Sequence, residues 1–418
     1  MSRRVVITGL GAITAAGLGA EALWKAALAG RSAVDSVEFY GANGWKPIGA
    51  AVREFDPEKF ISQRKALKVM ARDIQFAVAA SSLALEDAGL KSASFDRERF
   101  GVIVGSGVLN HELDELAYSV QSSLDSDGNL SLKKFGEDGL SALFPLWLLK
   151  YLPNMPACHV SILFDLQGPN NTITTGPSAG LQAVGEAYRI IQRGSADRML
   201  AGGAESKLNP VGLSHYKILG ILCESNGNPA KAYRPFDAGS TGLVIGEGSG
   251  FVVLEEFEHA RKRGARIYAE LAGFGSSCAT GEEVAIKAAL TEAKVDPARL
   301  GYVQASGLGL ETDDLREADA IEKAICGGQA REVAVSASKP VMGFTGFSSG
   351  VLDLAISTLA LRDGLVAPTI NFEKPRRDFK FRVVAGAPLR KDLRSVLVNN
   401  FGFGGQSASV VLRKFEEN

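Results

Sequence analysis

The residues best placed to do chemistry stand together in Gly176-Pro177-Ser178-Ala179-Gly180. The spacing matches GxSxG, in which a serine at a sharp strand-to-helix turn attacks an acyl carbon. Ser178 would be that nucleophile, for acyl transfer or thioester hydrolysis. It needs a base, and His215 is the histidine to test in that role. The flanks suit the turn. Thr172 to Thr175 is a β-branched run that reads as a buried strand. Beyond the turn, Leu181, Val184, Tyr188 and Ile191 recur at helical spacing. Pro177 fits the first helical turn, and the free N–H groups of a helix start stabilise negative charge.

Other chemistries find little support. The four cysteines, Cys158, Cys223, Cys278 and Cys326, are scattered and form no CxxC pair, so reduced thiols are expected rather than a zinc knuckle or disulfide framework. The four histidines, His111, His159, His215 and His259, show no metal spacing, and no metal or other cofactor is expected. Gly9-Leu10-Gly11 follows a strand at Arg4 to Thr8. It lacks the rest of a dinucleotide fingerprint and an acidic residue about 20 positions on. A formal net charge of −1 gives no electrostatic case for nucleic acid or anionic membrane. No apolar run approaches the ~20 residues of a membrane span, and the N-terminus runs directly into a strand with no signal peptide. A cytoplasmic location is expected.

The chain has 418 residues, 46% hydrophobic and 22% charged. It is ordinary globular material for about two to three domains. Helical periodicity covers 20–29 and 71–87. Strands are expected at 100–105, 198–205 and 251–254. Residues 109–155 are less regular. Within them the apolar Leu140–Leu152 suits a pocket lining, an interface or a core helix. Past residue 257 the pattern repeats. GEGSGFVVLEEF at 246–257 returns as GFGGQSASVVLRKF at 402–415. Val102–Gly107 returns as Tyr302–Gly309. The elbow and its helix return at Val333–Leu361. One βα unit therefore occurs twice, which implies two half-domains, 1–257 and 258–418, packed as five αβαβα layers.

These markers occur in a fixed order: VVITGLGAIT near the N-terminus, AGGAES at 201–206, RPFD at 234–237, GEGSGFVVLEE at 246–256 and NNFGFGGQSASVVL at 399–412. Over nearly its whole length the chain resembles the β-ketoacyl-acyl-carrier-protein synthases, the condensing enzymes of fatty-acid and polyketide assembly. The resemblance implies an α/β, thiolase-like fold. It also implies a Cys-His-His triad, and all three positions depart from it. Pro177 stands at the cysteine, Ser306 at the first histidine and Phe344 at the second. The family's oxyanion hole uses the nucleophile's own N–H and that of Phe401. Proline has no N–H, so one donor, typically worth ~3 kcal/mol, is lost with the nucleophile. The Phe401 N–H is expected to remain. On this alignment Pro177, not Ser178, occupies the apex. Lys339, Glu317 and Asp353 match or nearly match charged positions supporting the family site; without the triad they read as a buried ion-pair network. The family follows RPFD with Arg-Asp-Gly. Here Gly239-Ser240-Thr241-Gly242 lacks both charges, which implies a looser loop.

The resemblance further implies an acyl tunnel past Val108 and Tyr216, gated by Phe401 beside Gly402. Phe344 is expected to narrow or block it. A dimer should form through Asn171, Thr172, Ile173, Thr174 and Thr175, pairing across a two-fold axis. Three readings follow. The first is a non-catalytic subunit, like a chain-length factor, partnering a catalytic ketosynthase and acyl carrier protein. The second is a Ser178-dependent acyltransferase or thioesterase. The third is a stand-alone homodimeric acyl- or carrier-binding protein.

Overall fold

A computed structural model of the chain describes residues 3–38, 45–91, 93–108, 111–223, 227–279 and 281–416. Ten main strands carry the architecture: β1 Val5–Thr14, β2 Phe100–Gly105, β3 Asn170–Ile173, β4 Arg198–Glu205, β5 Gly248–Glu256, β6 Ala269–Ser277, β7 Tyr302–Gln304, β8 Ala334–Ser336, β9 Ser395–Phe401 and β10 Ser407–Lys414. Five helices position them: α1 Arg72–Asp87, α2 Ala179–Gln192, α3 Glu282–Ala293, α4 Glu311–Ile321 and α5 Ser349–Asp363.

The strands form one continuous sheet that reads as two related halves. One half runs β1-β5-β4-β2-β3, the other β6-β10-β9-β7-β8. Each half pairs its strands in the same senses. Its first three are antiparallel neighbours, and its last three run parallel. The halves join through a short antiparallel contact of Val5–Ile7 with Ala269–Leu271. The repeat expected from β5 and β10, from β2 and β7, and from the two elbows is therefore present in space.

Burial on both faces explains the near-continuous apolar strands. Leu200 and Phe251 point to an outer core with α1, while Met199 and Val252 point to the central core. In the second half Leu397 and Val411 face an outer core with α3 and α4, while Val396 and Val410 face the centre. Helices α2 and α5 fill that centre between the two sheet halves. The order is α1, sheet half, α2 with α5, sheet half, α3 with α4. These are the five layers expected.

Four local expectations are corrected. β1 runs on to Thr14, so Gly9 and Gly11 lie inside a strand and not in a loop. A Cβ on Gly9 or Gly11 would come within 2.3 or 1.9 Å of the Ala84 or Ala80 carbonyl oxygen of α1. Their role is close packing of helix on strand. The strand before the elbow is Asn170–Ile173, not Thr172–Thr175. As the last strand of its half it is exposed to half-buried. The Leu140–Leu152 run forms short single-turn helical pieces, with Leu140, Phe144, Leu146 and Leu148 about half exposed. It is no core helix. The RPFD loop is tied down after all. Asp237 pairs with Arg234 at 3.0 Å and accepts the N–H groups of Gly239, Glu373 and Lys374 at 2.7–2.8 Å.

Candidate functional site

The two elbows meet at the centre of the molecule. In the first, Gly176-Pro177-Ser178 makes one tight turn into α2, with Gly176 at φ 79°. A left-handed φ costs glycine little, and proline satisfies the turn without a donor. In the second, Gly346-Phe347-Ser348 makes the same turn into α5, with Gly346 at φ 49°. A Cβ on Gly180 would meet the Phe347 carbonyl oxygen at 2.1 Å, so the elbows touch backbone to backbone.

Ser178 is fully buried and, among the described residues, its Oγ has no hydrogen-bond partner. His215 sits exposed on the helix Pro210–Ile218. The structure thus gives the Ser178 hydroxyl neither the expected base nor open access. Pro177 is half-buried and its ring packs beside Gly402; a Cβ there would lie 3.2 Å from Pro177 Cδ.

The Phe401 N–H, expected to remain available, is engaged. The Phe401 N–H donates to Ser306 Oγ at 3.1 Å, and that hydroxyl donates back to the Phe401 carbonyl at 3.3 Å. Ser306 is therefore a clasp on the backbone of β9. Glu317 on α4 fixes the clasp, accepting the N–H groups of Ser306 and Gly307 at 2.8 Å each. Burial pushes the Glu317 carboxyl up to about 7, opposed by those two N–H groups.

Phe344 is fully buried among aromatic rings. Its centroid lies 6.3 Å from Tyr216, edge-on, and 6.1 Å from Phe403. Its backbone bridges two segments, donating to the Val244 carbonyl at 2.7 Å and accepting from Gly246 at 2.8 Å. The four tunnel residues are not gathered as expected. Tyr216 belongs to the Phe344 cluster, Phe401 to the outer core under α3 and α4, and Val108 is 75% exposed. Gly402 remains beside Pro177.

Lys339 and Asp353 form a fully buried ion pair at 3.0 Å. Asp353 also accepts from Ser338 Oγ, and from Gln304 Nε2 at 3.1 Å. Burial raises the Asp353 carboxyl above its ordinary range, with Lys339 pulling it back. Sequence reasoning passed over Glu205, the last residue of β4. Its buried carboxylate accepts the Phe347 N–H at 3.2 Å and the Tyr216 hydroxyl at 3.3 Å, and pairs with Lys207 at 3.2 Å. It braces the second elbow. The only signal was its place in AGGAES.

Among the described residues no group of three or more His, Cys, Asp or Glu could hold a metal, and no helix is long and apolar enough to cross a membrane.

A doubled βα unit with paired elbows between two sheet halves defines a thiolase-like fold. Residues 2–260 match the N-terminal domain of the β-ketoacyl synthases and residues 269–373 their C-terminal domain, and the chain belongs to that family. It is 34% identical to a 3-oxoacyl-[acyl-carrier-protein] synthase 2 of Vibrio harveyi and 36% to that of Coxiella burnetii, over 99% of each chain. It is 34% identical to a putative polyketide β-ketoacyl synthase of Streptomyces halstedii, over 99% of this chain and 98% of that one. Among solved structures, a β-ketoacyl synthase from Burkholderia phymatum superposes with a TM-score of 0.87 at 30% identity, covering 99% and 100% of the two chains. The ishigamide ketosynthase/chain length factor superposes with a TM-score of 0.87 at 28% identity over the full length of both.

Proposed function

We propose that this chain is a non-catalytic ketosynthase-family subunit of fatty-acid or polyketide assembly. It pairs with a catalytic ketosynthase and serves an acyl carrier protein, in the manner of a chain-length factor. The carrying observation is the state of the triad positions: Pro177 has neither nucleophile nor N–H, Phe344 has no polar atom, and Ser306 holds the Phe401 N–H at 3.1 Å. A serine hydroxyl is no base or cation at neutral pH, and a phenyl ring donates no hydrogen bond. Malonyl decarboxylation by the family route has no group left to promote it.

Pairing has its own support. Among the described residues no strand pairs with the outer side of β3, and an open strand edge is a template for another chain. Leu113, Tyr118, Leu132, Phe144 and Leu148 are each at least half exposed, more than a lone surface readily tolerates. Among the similar structures one is described as a ketosynthase/chain length factor, and another as an acyl-carrier protein in complex with its ketosynthase. The test is pull-down from the native host followed by co-expression. A stoichiometric heterodimer that condenses only when both chains are present supports the proposal. A homodimer with no ketosynthase bound points to the stand-alone binding reading instead.

A further inference from the structure

A groove of about 510 Å³ opens far from the elbows, at the start of β9 and the end of β10. Phe401 and Ser407, at the other ends of these strands, lie six residues away along β9, about 20 Å at the rise of a strand. Five cations line the groove, Lys294, Arg299, Arg394, Arg413 and Lys414, against two carboxylates, Asp296 and Glu416. The whole chain is nearly neutral at −1, so this is a local concentration of positive charge.

Among the described residues many cations are paired with a carboxylate, and three of these five are not. Next door, a cavity sharing Glu416 is lined by Arg4, Arg261 and Arg266. Each of those pairs with its own carboxylate, Glu270, Glu258 and Asp87. In the groove, Arg413 is occupied, donating to the Ala293 carbonyl at 2.5 Å and lying 3.8 Å from Glu270. Arg394 reaches only Asp392, at 3.8 Å with both side chains exposed. Lys294, Arg299 and Lys414 pair with no carboxylate among the described residues. Asp296 is turned to its own backbone, accepting the Ala298 N–H at 2.9 Å.

Lys294 carries a second sign. It ends α3 in the left-handed conformation, at φ 52°. Glycine is the usual and least strained residue there, and a residue with a Cβ is strained in that region. Here the residue is a lysine that lines the groove.

We propose that this groove binds a small organic phosphate of nucleotide size, through Lys294, Arg299 and Lys414. The volume suits such a ligand, and clustered cations recognise phosphate oxygens by charge-assisted hydrogen bonds. Val295 offers an apolar wall for the organic part. The site is independent of the elbows and of the ketosynthase reading.

Calorimetry of the full chain at low salt, with ADP and with inorganic pyrophosphate as probes, tests it. ADP should bind at micromolar to submillimolar concentration, and pyrophosphate should compete with it. Arg299→Ala should weaken binding about tenfold. Lys294→Gly should weaken it similarly while leaving the thermal midpoint unchanged or higher, because glycine relieves the left-handed strain. Absence of heat with both probes at millimolar concentration overturns the proposal. So does affinity untouched by both substitutions. Capture by phosphatidylglycerol vesicles without binding of either soluble probe would assign the groove to a membrane surface and also overturn it.

Discussion

Lys339→Met tests whether the buried charges beside the elbows are structural. The substitution leaves Asp353 fully buried with no cation, holding only the Ser338 hydroxyl and the Gln304 amide. Removing one partner of a buried pair typically costs about 3–5 kcal/mol. The carboxyl can escape by taking up a proton in the folded state. Against its ordinary 3.8, that costs at pH 7 about 1.4 kcal/mol per unit, a ceiling of about 4 kcal/mol. We expect a loss of about 3–4 kcal/mol at pH 7. In the variant Asp353 is protonated when folded and ionised when unfolded, so its folded pKa lies above the unfolded one. The deficit should therefore shrink as pH falls, by about 2 kcal/mol between roughly pH 7 and 5.5. The assay is urea unfolding of parent and variant across that range, followed by circular dichroism. The double change Lys339→Met with Asp353→Leu should recover at least half of the loss, because no lone charge remains. A deficit below about 1 kcal/mol, or one that does not change with pH, would refute the reasoning.

Three further outcomes are expected. Thr172→Pro should weaken dimerisation measured by analytical ultracentrifugation, with the melting midpoint nearly unchanged. The Thr172 N–H already turns to the Asn171 side chain at 2.8 Å, so the proline removes a donor from the open edge; an unchanged dissociation constant would exclude this edge as the interface. Asp73 is buried, and burial pushes its carboxyl up to about 7 from 3.8. Its contribution to stability is present below about pH 4 and is lost as pH rises through about 7, so Asp73→Asn should flatten the fall in melting midpoint between pH 5 and 8; a slope equal to the parent's contradicts this. Phe344→Ala should cost about 3–5 kcal/mol by opening a cavity beside Tyr216 and Phe403, and it should create calorimetric binding of a long-chain acyl-pantetheine that the parent lacks. Equal acyl binding by the parent would show that the ring does not block the pocket.

Much of this architecture was legible because its strands are buried on both faces. Phe100–Gly105 stands out as an apolar run and its ends agree with the structure; Arg198–Glu205 reads as a strand with a glycine turn, but the strand runs unbroken through Gly202-Gly203. β1 was cut short at Thr8 because Gly9 and Gly11 look like a turn. Their real constraint is α1 pressing on the strand from more than 60 residues away, which no local pattern carries. Leu140–Leu152 leaves a pocket lining, an interface and a core helix open for the opposite reason, since hydropathy does not distinguish a core helix from an apolar exposed surface. At the site, the departure of Pro177, Ser306 and Phe344 from the triad that the resemblance implies is legible in the sequence. The Ser306 clasp is not, because it joins residues 95 apart and depends on how β7 and β9 lie side by side. Glu205 was missed for the same reason, its partner Phe347 being 142 residues away.

The central claim is that this chain alone cannot condense, and the direct measurement is carbon dioxide release. Purified chain would be mixed with acyl-carrier protein and malonyl-carrier protein, with intact-mass spectrometry of the chain in parallel. The account predicts release no higher than the enzyme-free blank and no acyl adduct. Pro177→Cys should leave the release unchanged, because Ser306 and Phe344 still stand at the histidine positions and the Phe401 N–H is still held by Ser306. Release above blank by the parent chain, or a stoichiometric acyl adduct on Ser178 or any residue of the elbow, would contradict it.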